Sequence, residues 1–496
     1  MAVAGGDSES TPDNLVPRMS AIMSTDDLTR LSACTVVDLL ARGEISPIDL
    51  LDAAEARIAV TDGVLNALPT LCFDRARAHA ERLPKNPLRA DQPGYLHGLP
   101  IAVKDLSDVE GVRTTYGSMA FAEHVPERSD YMVERLETNG ALVVAKSNTP
   151  EFGAGSQTFN EVFGTTTNPW NTTLTPGGSS GGSAAALAAG QVWLATGSDH
   201  GGSIRIPTSF TSTVGLRPGP GVVPHGPLRL PFNTLAMNGP MARNVADVAQ
   251  MLDAMAGLDQ RDPLTRSAPA IPYRQAVNAP TRPKRVAFSS DLGIGPVDPE
   301  VRRLCTEGAQ RFADAGVVVE EDCIDLHDAV EIFEVVRAVY FSSDRAHFLD
   351  EHRDKFKPDL VWNIEEGLKI DADRIARAER ARGALYHRAA MFFETYDLLL
   401  CPAVMAPPFD HKLRYLEEID GVKFEHYFGW LVMAFAISLT ACPSMSVPTG
   451  FTDNGRPVGL QMVAPMGHEA ELLSAAAVFE DLSGLKDLVP LDPRTP

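Results

Sequence analysis

The chain has 496 residues, of which 44% are apolar, enough to bury a large hydrophobic core. It contains 65 Asp and Glu against 44 Lys and Arg, which gives a net charge of −21 at pH 7. Proteins that bind nucleic acids or anionic membranes need clustered Lys and Arg, so this balance argues against both as partners.

The apolar pattern predicts alternating helices and strands. Residues 1–25 are predicted to form a flexible polar tail, followed by one domain over 26–490. Helical spacing predicts helices at 28–42, 47–60, 73–83, 130–138, 184–189, 244–255, 299–314, 329–348, 372–396 and 469–482. Short buried runs predict strands at 101–103, 141–145, 192–196, 285–288, 317–319, 396–402, 444–448 and 458–464. Strands that alternate with helices at this spacing indicate a layered α/β fold.

The cysteine and apolar patterns predict a cytoplasmic protein. The six cysteines are scattered and form no CxxC pair, as is typical of reduced thiols. The N-terminal residues lack the basic and apolar regions of a signal peptide. The apolar run 427–442 is shorter than the ~20 residues that a membrane span needs, and Gly429 interrupts it. We therefore predict a buried helix there and no contact with a membrane.

The segments 175–190 and 197–207 each carry serines flanked by glycines. No charged residue occurs from Val162 to Ser198, so we expect interior backbone, with a flexible Gly/Ser linker as the alternative. Glycine lets backbone N–H groups come close to a ligand. Ser203, which follows Gly201 and Gly202, is therefore a candidate nucleophile, and the amides of residues 200–203 are a candidate oxyanion hole.

Such a serine needs a base, and the sequence offers two kinds. The segment 178–182 matches G-x-S-x-G, which would make Ser180 a nucleophile with a histidine base, but the residues before it are a poor strand. A neutral lysine is the other kind, because burial disfavours the charged ammonium. Lys104 ends an apolar strand and could face the uncharged segment. Its alternative role is an exposed or ion-paired lysine beside Asp105.

Three sequence words in this order resemble the amidase signature family. They are Gly-Leu-Pro-Ile-Ala-Val-Lys-Asp at 98–105, Pro-Gly-Gly-Ser-Ser-Gly-Gly-Ser-Ala-Ala-Ala at 176–186 and Gly-Ser-Asp-His-Gly-Gly-Ser-Ile-Arg-Ile-Pro at 197–207. The resemblance is most specific over about 95–220, the expected catalytic core, and can be traced from 30 to 480. It implies a single large α/β/α layered domain with a mixed central β-sheet flanked by helices, and no cofactor.

The resemblance also implies a catalytic set. Ser203 would be the nucleophile that forms an acyl-enzyme, and Ser179 would bridge it to the base after a cis Gly178–Ser179 peptide bond. Neutral Lys104 would accept the proton through Ser179 and return it to the leaving amine. Further positions are implied to orient the loop: Ser180, Asp199 and Arg205.

Four residues are predicted to contact the substrate: Gly153, His200, Gly201 and Gly202. Gly153 falls where the family places a backbone carbonyl near the nucleophile. His200 departs from the family, which often has a small or apolar residue there, and a local backbone hydrogen bond is its alternative role.

The resemblance implies an amidohydrolase that cleaves C–N bonds of small to medium amides. Aromatic residues and methionines around 116–119, 153–159 and 424–435 favour aryl or alkyl amides, anilides, carbamates or esters over charged substrates. No metal is expected, because no ligand cluster such as HExxH is present, and a homodimer is expected by analogy. The alternative is the glutaminase subunit of a tRNA-dependent amidotransferase, although a polar residue would be expected there in place of Ile206.

Overall fold

Apolar runs of four to eight residues form most strands of one mixed sheet. The computed structural model describes residues 24–84 and 92–495. The strands are β1 Thr70–Leu71, β2 Leu99–Lys104, β3 Ala141–Ser147, β4 Phe159–Asn160, β5 Gly164–Thr165, β6 Leu194–Asp199, β7 Val214–Arg217, β8 Met237–Ala242, β9 Arg285–Phe288, β10 Val318–Glu321, β11 Leu398–Pro402, β12 Glu418–Ile419, β13 Val422–Lys423, β14 Ser444–Phe451 and β15 Pro457–Val463.

Eleven of these strands form the central sheet, in the order β1-β3-β2-β6-β8-β7-β14-β15-β11-β9-β10. The neighbours β3, β2 and β6 run parallel, as do β11, β9 and β10, while the strands between β6 and β11 pair antiparallel. The mixed central sheet predicted above is therefore confirmed. Residues 453–455, Asp-Asn-Gly, lie in the turn between β14 and β15, which pair as an antiparallel hairpin.

Helices cover the sheet and bury their apolar faces against it. They are α1 Thr25–Arg30, α2 Ala33–Ala41, α3 Pro47–Leu65, α4 Phe73–Arg82, α5 Tyr131–Thr138, α6 Gly181–Ala188, α7 Arg205–Thr211, α8 Val245–Met255, α9 Tyr273–Asn278, α10 Pro299–Asp314, α11 Ala329–Arg345, α12 Leu349–His352, α13 Pro358–Lys369, α14 Ala372–Phe392, α15 Val432–Leu439 and α16 Glu469–Ser483. Local capping explains several starts. Ser46 accepts the N–H of Asp49 with proline next in the chain, and Asn244 accepts the N–H of Asp247.

The structure corrects the sequence analysis at several boundaries. The predicted tail lies outside the described residues except for its end, where Ser24 caps α1. The predicted helix 28–42 is two helices, because Ser32 caps a new one. Strand β8 was missed since Gly239 and Pro240 are poor strand formers, yet it is fully buried between β6 and β7. The extent of the domain, 26–490, stays a prediction.

Three properties of the described chain bear on function. All six cysteines are unpaired. No helix within residues 24–84 and 92–495 is long and apolar enough to cross a bilayer. The same residues contain no group of three or more His, Cys, Asp or Glu placed to hold a metal ion.

Parallel pairing brings distant parts of the sequence to one edge of the sheet. Strands β2 and β6 are neighbours, with Ile101 opposite Leu194, so their carboxyl ends lie side by side. Lys104 ends β2 and Asp199 ends β6. Helix α6 is buried along its whole length and starts directly after Ser180. The three segments singled out from the sequence therefore meet at this edge.

The start of α6 depends on a close backbone approach at Gly182. A Cβ there would lie 2.3 Å from the backbone nitrogen of Asn148 and 2.7 Å from the carbonyl oxygen of Ala67, and neither atom can rotate away. We expect Gly182→Ala to lower the free energy of unfolding by about 1–3 kcal/mol, the usual effect of overpacking. Urea unfolding followed by circular dichroism measures this.

The matched control is Gly63→Ala in α3, where an added Cβ meets nothing within 4 Å. Alanine is the better helix former, so this change should raise stability by about 0.5–1 kcal/mol. Equal effects of the two substitutions would contradict the tight contact at Gly182.

Candidate active site

The end of β2 brings one lysine amine into a cluster of hydroxyl groups. Lys104 is 1% exposed, and its Nζ lies 2.7 Å from Ser179 Oγ and 2.8 Å from Ser180 Oγ. Ser198 Oγ lies 3.0 Å from the same nitrogen. Residues separated by 75 positions or more in the sequence thus meet around a single amine.

Asp105, the alternative partner of Lys104, binds a different lysine. Its Oδ1 lies 3.2 Å from Nζ of Lys146, and its Oδ2 accepts hydrogen bonds from the N–H and the hydroxyl of Thr115. Lys104 is the last residue of β2 and Asp105 follows the strand, and no ion pair joins the two side chains. The interpretation of Lys104 as the ion-pair partner of Asp105 is therefore wrong.

Burial lowers the pKa of Lys104 from its ordinary value of 10.5 to about 7, and the Asp199 carboxylate opposes this shift only in part. A neutral amine has two N–H groups to donate and one lone pair that accepts. Ser180 and Ser198 offer oxygens for the two N–H groups. The lone pair is then left for the hydroxyl proton of Ser179, at 2.7 Å.

Ser198 is a contact that the sequence analysis missed. It stands in β6 two residues after Thr196, whose Oγ1 accepts the backbone N–H of Lys104 at 2.9 Å. Alternate residues of a strand share a face. The period of two along β6 could therefore have placed Ser198 beside Lys104.

Ser180 does not fit the role of a nucleophile with a histidine base. Its hydroxyl binds Lys104 and lies 3.4 Å from the carbonyl oxygen of Ser198. His468, the histidine late in the chain that this role would require, is exposed and lies beside the carbonyl oxygen of Met466. The G-x-S-x-G interpretation is therefore wrong, and Ser180 instead holds the lysine amine.

The peptide bond between Gly178 and Ser179 is cis, as the resemblance implied. Gly153 lies against Ser179: its φ is +68°, and a Cβ there would lie 3.3 Å from Ser179 Oγ. The N–H of Ser180 donates to the carbonyl oxygen of Ser203 at 3.1 Å. Ser179, Ser203 and Gly153 all line one cavity, so the structure brings these predicted residues together.

The carboxylate of Asp199 organises the loop that carries Ser203. It accepts the N–H of Gly202 at 2.7 Å and that of Ile204 at 3.1 Å, and Arg205 binds it through two nitrogens. Burial opposes ionisation, but Arg205, and then Arg217, outweigh it and hold the pKa of Asp199 well below its usual range. The loop is therefore built around a permanent negative charge.

Arg205 ties this loop to two other elements. Its Nη1 donates to the carbonyl oxygen of Ala434 at 2.9 Å and to Gln461 Oε1 at 2.6 Å, and its Nη2 donates to Ser438 Oγ at 2.6 Å. Ala434 and Ser438 belong to α15, and Gln461 belongs to β15. The loop, the helix and the strand are thus held together by one buried side chain.

The predicted oxyanion hole needs one correction, at Gly202. Its N–H is bound to Asp199, its φ is +114°, and a Cβ there would lie 2.5 Å from the Cβ of Ala434. Gly201 and Ser203 line the cavity and Gly202 does not. Gly202 is therefore required for packing against α15, and its predicted contact with substrate is wrong.

The cavity beside Ser203 has a volume of about 370 Å³. It is lined by nine aromatic rings: Tyr116, Phe121, Phe152, Phe333, Tyr340, Phe341, Phe348, Tyr427 and Phe428. All three segments predicted to line the cavity contribute to it, whereas Met119 is exposed and does not. The contributing residues are Tyr116, Gly153, Gly155, Ser156, Tyr427, Phe428 and Leu431. Aromatic rings make the cavity suited to apolar groups.

Helix α11 supplies a wall that the sequence analysis did not predict. Phe333, Tyr340 and Phe341 line the cavity together with the charged side chains of Arg337, Asp344 and Arg345. The helix was predicted from its apolar spacing, but nothing in that spacing shows that its face meets a loop more than 100 residues away. The three segments predicted to line the cavity therefore account for only part of its wall, and α11 adds charged side chains to it.

His200 lines the cavity and packs against α11. Its ring centroid lies 5.9 Å from that of Phe333 and 5.2 Å from that of Tyr340. Burial, followed by the charges of Arg337 and Arg345, lowers its pKa well below the ordinary value, so the ring is neutral. Its Nε2 is enclosed and makes no hydrogen bond to the described part of the chain. The local backbone hydrogen bond given as its alternative role stays a prediction.

Comparisons with known proteins agree with this geometry. A family model described as Amidase matches residues 49–473. An acylamidase of Rhodococcus erythropolis is 33% identical over 95% of this chain and 99% of its own length. A glutamyl-tRNA(Gln) amidotransferase subunit from Prochlorococcus marinus is 31% identical over 89% of this chain and 95% of its own.

The fold gives the same result. The crystal structure of a bacterial aryl acylamidase of the amidase signature family superposes with a TM-score of 0.84 at 28% identity, covering 93% of this chain and 99% of that one. The family match spans most of the chain, and the serine and lysine side chains expected of such enzymes meet at the sheet edge. The chain therefore belongs to the amidase family, as a hydrolase that acts on the carbon–nitrogen bonds of linear amides.

Proposed function

We propose that the chain hydrolyses small to medium amides with apolar or aromatic groups through an acyl-enzyme on Ser203. The observation that carries the proposal is the buried Lys104 amine, which has a pKa of about 7 and lies 2.7 Å from the hydroxyl of Ser179. Ser179 lines the same cavity as Ser203. Anilides, carbamates and esters present the same kind of carbonyl and belong to the expected substrate range.

In the proposed acylation, Ser203 Oγ attacks the amide carbonyl carbon. Its proton passes to Ser179 Oγ while the proton of Ser179 passes to the lone pair of Lys104. The C–N bond of the tetrahedral intermediate then breaks, and the departing nitrogen takes a proton back along the same route. The free amine leaves, and the acyl group stays on Ser203 as an ester.

Deacylation repeats the sequence with water. A water oxygen attacks the ester carbonyl and loses one proton towards Lys104 through Ser179. The bond between the carbonyl carbon and Ser203 Oγ breaks, and that oxygen regains a proton from the same route. The carboxylic acid leaves, and the three side chains return to their starting protonation states.

Backbone N–H groups of the glycine loop are proposed to stabilise the negative oxygen of both intermediates. Gly202 is excluded from this role, because its N–H binds Asp199. The N–H groups of His200, Gly201 and Ser203, which line the cavity, are the remaining candidates. Asp199 acts indirectly here, since it fixes the loop through Gly202 and Ile204.

The aromatic lining supports substrates with apolar acyl or aryl groups. The names of the relatives, an acylamidase and an aryl acylamidase, fit this proposal. The glutaminase component of a tRNA-dependent amidotransferase remains the alternative, because an amidotransferase subunit is 31% identical to this chain. A cavity of about 370 Å³ with nine aromatic rings favours bulkier apolar groups than the side chain of glutamine.

Hexanoyl p-nitroanilide tests the proposal. The wild-type protein is expected to release p-nitroaniline, and Ser203→Ala, Ser179→Ala and Lys104→Ala should each lower kcat by at least about a thousandfold, as losses of nucleophile or proton carrier do. The control is Ser267→Ala, which removes an exposed hydroxyl and should leave turnover unchanged. Hydrolysis of glutamine with no action on the anilide would support the alternative instead.

The pH dependence follows from Lys104. Its neutral form accepts the proton, and its pKa of about 7 lies below the ordinary 10.5. Protonation at lower pH removes the lone pair, so kcat/KM should rise tenfold per pH unit below 7 and level off above it. Measurements of kcat/KM on the same anilide between pH 5 and 9 check this. A profile that is flat across this range would exclude Lys104 as the base.

A further inference from the structure

The cavity wall formed by α11 carries more positive than negative charge. Arg337 is 6% exposed, and its guanidinium donates to Asn363 Oδ1 and to the hydroxyl of Tyr427, both of them neutral. No carboxylate lies within 4.0 Å of it among the described residues. A buried cation without a carboxylate partner is unfavourable unless another negative group approaches it.

Arg345 lies further along the same helix, and two of its guanidinium nitrogens make no hydrogen bond within the described part of the chain. Asp344 Oδ2 lies 3.1 Å from its Nη1, but not in hydrogen-bonding geometry. Nε and Nη1 are both enclosed and make no hydrogen bond to the described residues. The guanidinium carbon lies 5.3 Å from the ring centroid of Tyr340 and 4.8 Å from that of Phe341. The rings hold the guanidinium in place, while the N–H groups of Nε and Nη1 stay without a hydrogen bond to residues 24–84 and 92–495.

The charged groups that face the cavity do not balance. Arg337, Arg345 and the exposed Arg229 line it, against the single carboxylate of Asp344. Asp199 also borders the cavity, but its carboxylate is bound to Arg205 and to two N–H groups of the loop. His200 is neutral. The cavity therefore has a positive surplus, in a protein whose net charge is −21.

The ring of Tyr340 contacts both the positively charged part of the cavity wall and the residue next to the glycine loop. Its ring centroid lies 5.2 Å from that of His200, which precedes the glycine loop, and 5.3 Å from the guanidinium carbon of Arg345. The unused donors of Arg345 are thus separated from the loop by a layer of aromatic side chains. A ligand that reaches both must have an apolar body and a polar end.

We propose, on the basis of the function proposed above, that the preferred substrates are amides that carry a carboxylate at the end remote from the scissile bond. Arg345 binds this carboxylate, and Arg337, which lines the same cavity, adds a second positive charge. A carboxylate matches a guanidinium in shape and charge, and such bonds are stronger than neutral ones. The aromatic rings bind the chain between the two ends. Arg345 is thus a specificity-determining residue.

Two matched substrate pairs test the proposal. The first pair is hexanoyl p-nitroanilide and its ω-carboxylate analogue, adipoyl mono-p-nitroanilide. The second places the carboxylate on the amine side, as the 4-carboxyanilide and the 4-methylanilide of hexanoic acid. Wild-type kcat/KM should be at least about tenfold higher for the carboxylate member of one pair, mainly through a lower KM, as expected for one charge-assisted hydrogen bond.

Arg345→Gln should remove most of that preference, lowering kcat/KM about tenfold or more for the carboxylate member relative to its neutral partner. Asp344→Asn should have the opposite effect. It removes the carboxylate that competes for Arg345, so the ratio of kcat/KM between the carboxylate member and its neutral partner should increase. The matched control is Arg303→Gln, a surface arginine of α10, which should change neither member. Thermal unfolding of each variant verifies that it is folded.

Equal kcat/KM within both pairs for the wild type, or equal losses on both members in Arg345→Gln, would overturn the proposal. Neither result would affect the proposed function, provided that the neutral anilide is hydrolysed and Ser203→Ala abolishes this. Failure of the function itself would appear as no turnover of any of the four compounds.

Discussion

The site depends on keeping one amine out of water. Lys104 ends an apolar strand, and its Nζ contacts serine oxygens in place of a carboxylate. Charged ammonium groups are disfavoured in such surroundings, which brings the pKa of Lys104 to about 7. The neighbouring Asp105 could have reversed this effect, but it binds Lys146 instead. The carboxylate next to Lys104 in the sequence is thus paired with a different lysine.

The remaining parts of the site hold in position the amine of Lys104 and the proposed nucleophile Ser203. Parallel strands bring Lys104 and Ser198 to one edge, and the backbone contact at Gly182 fixes the start of the helix after Ser180. A second charge system, Asp199 with Arg205, holds the loop of Ser203. Both systems are buried, but the first has no ion pair and the second is built on one.

Sequence patterns were informative where local chemistry decides the structure. The glycine pattern alone pointed to Ser203, whereas Ser179 and the role of Lys104 followed from the resemblance to the amidase signature family, whose sequence motifs are specific in order and spacing. The predicted strand 192–196 ended before Ser198, whereas β6 continues to Asp199, so the contact of Ser198 with Lys104 was missed. In contrast, the wall contributed by α11 follows from tertiary packing, and no local signal marks Arg337 or Arg345 as lining a cavity. Gly202 was misassigned for a similar reason: the sequence cannot show that Asp199 uses its N–H or that Ala434 occupies the space of a side chain.

Arg205 binds some elements around the cavity and not others. We expect the two groups to differ in how far substitutions in them disturb the nucleophile loop. On one side, α15 and β15 are bound to the nucleophile loop through the same buried guanidinium, so a shift in either element would be transmitted to Ser203. On the other side, α11 touches the loop through side-chain contacts such as Phe333 against Gly201. Substitutions along α11 would therefore alter which amides fit while the bond-breaking geometry is preserved, and we expect divergence in substrate range among relatives to accumulate on that helix.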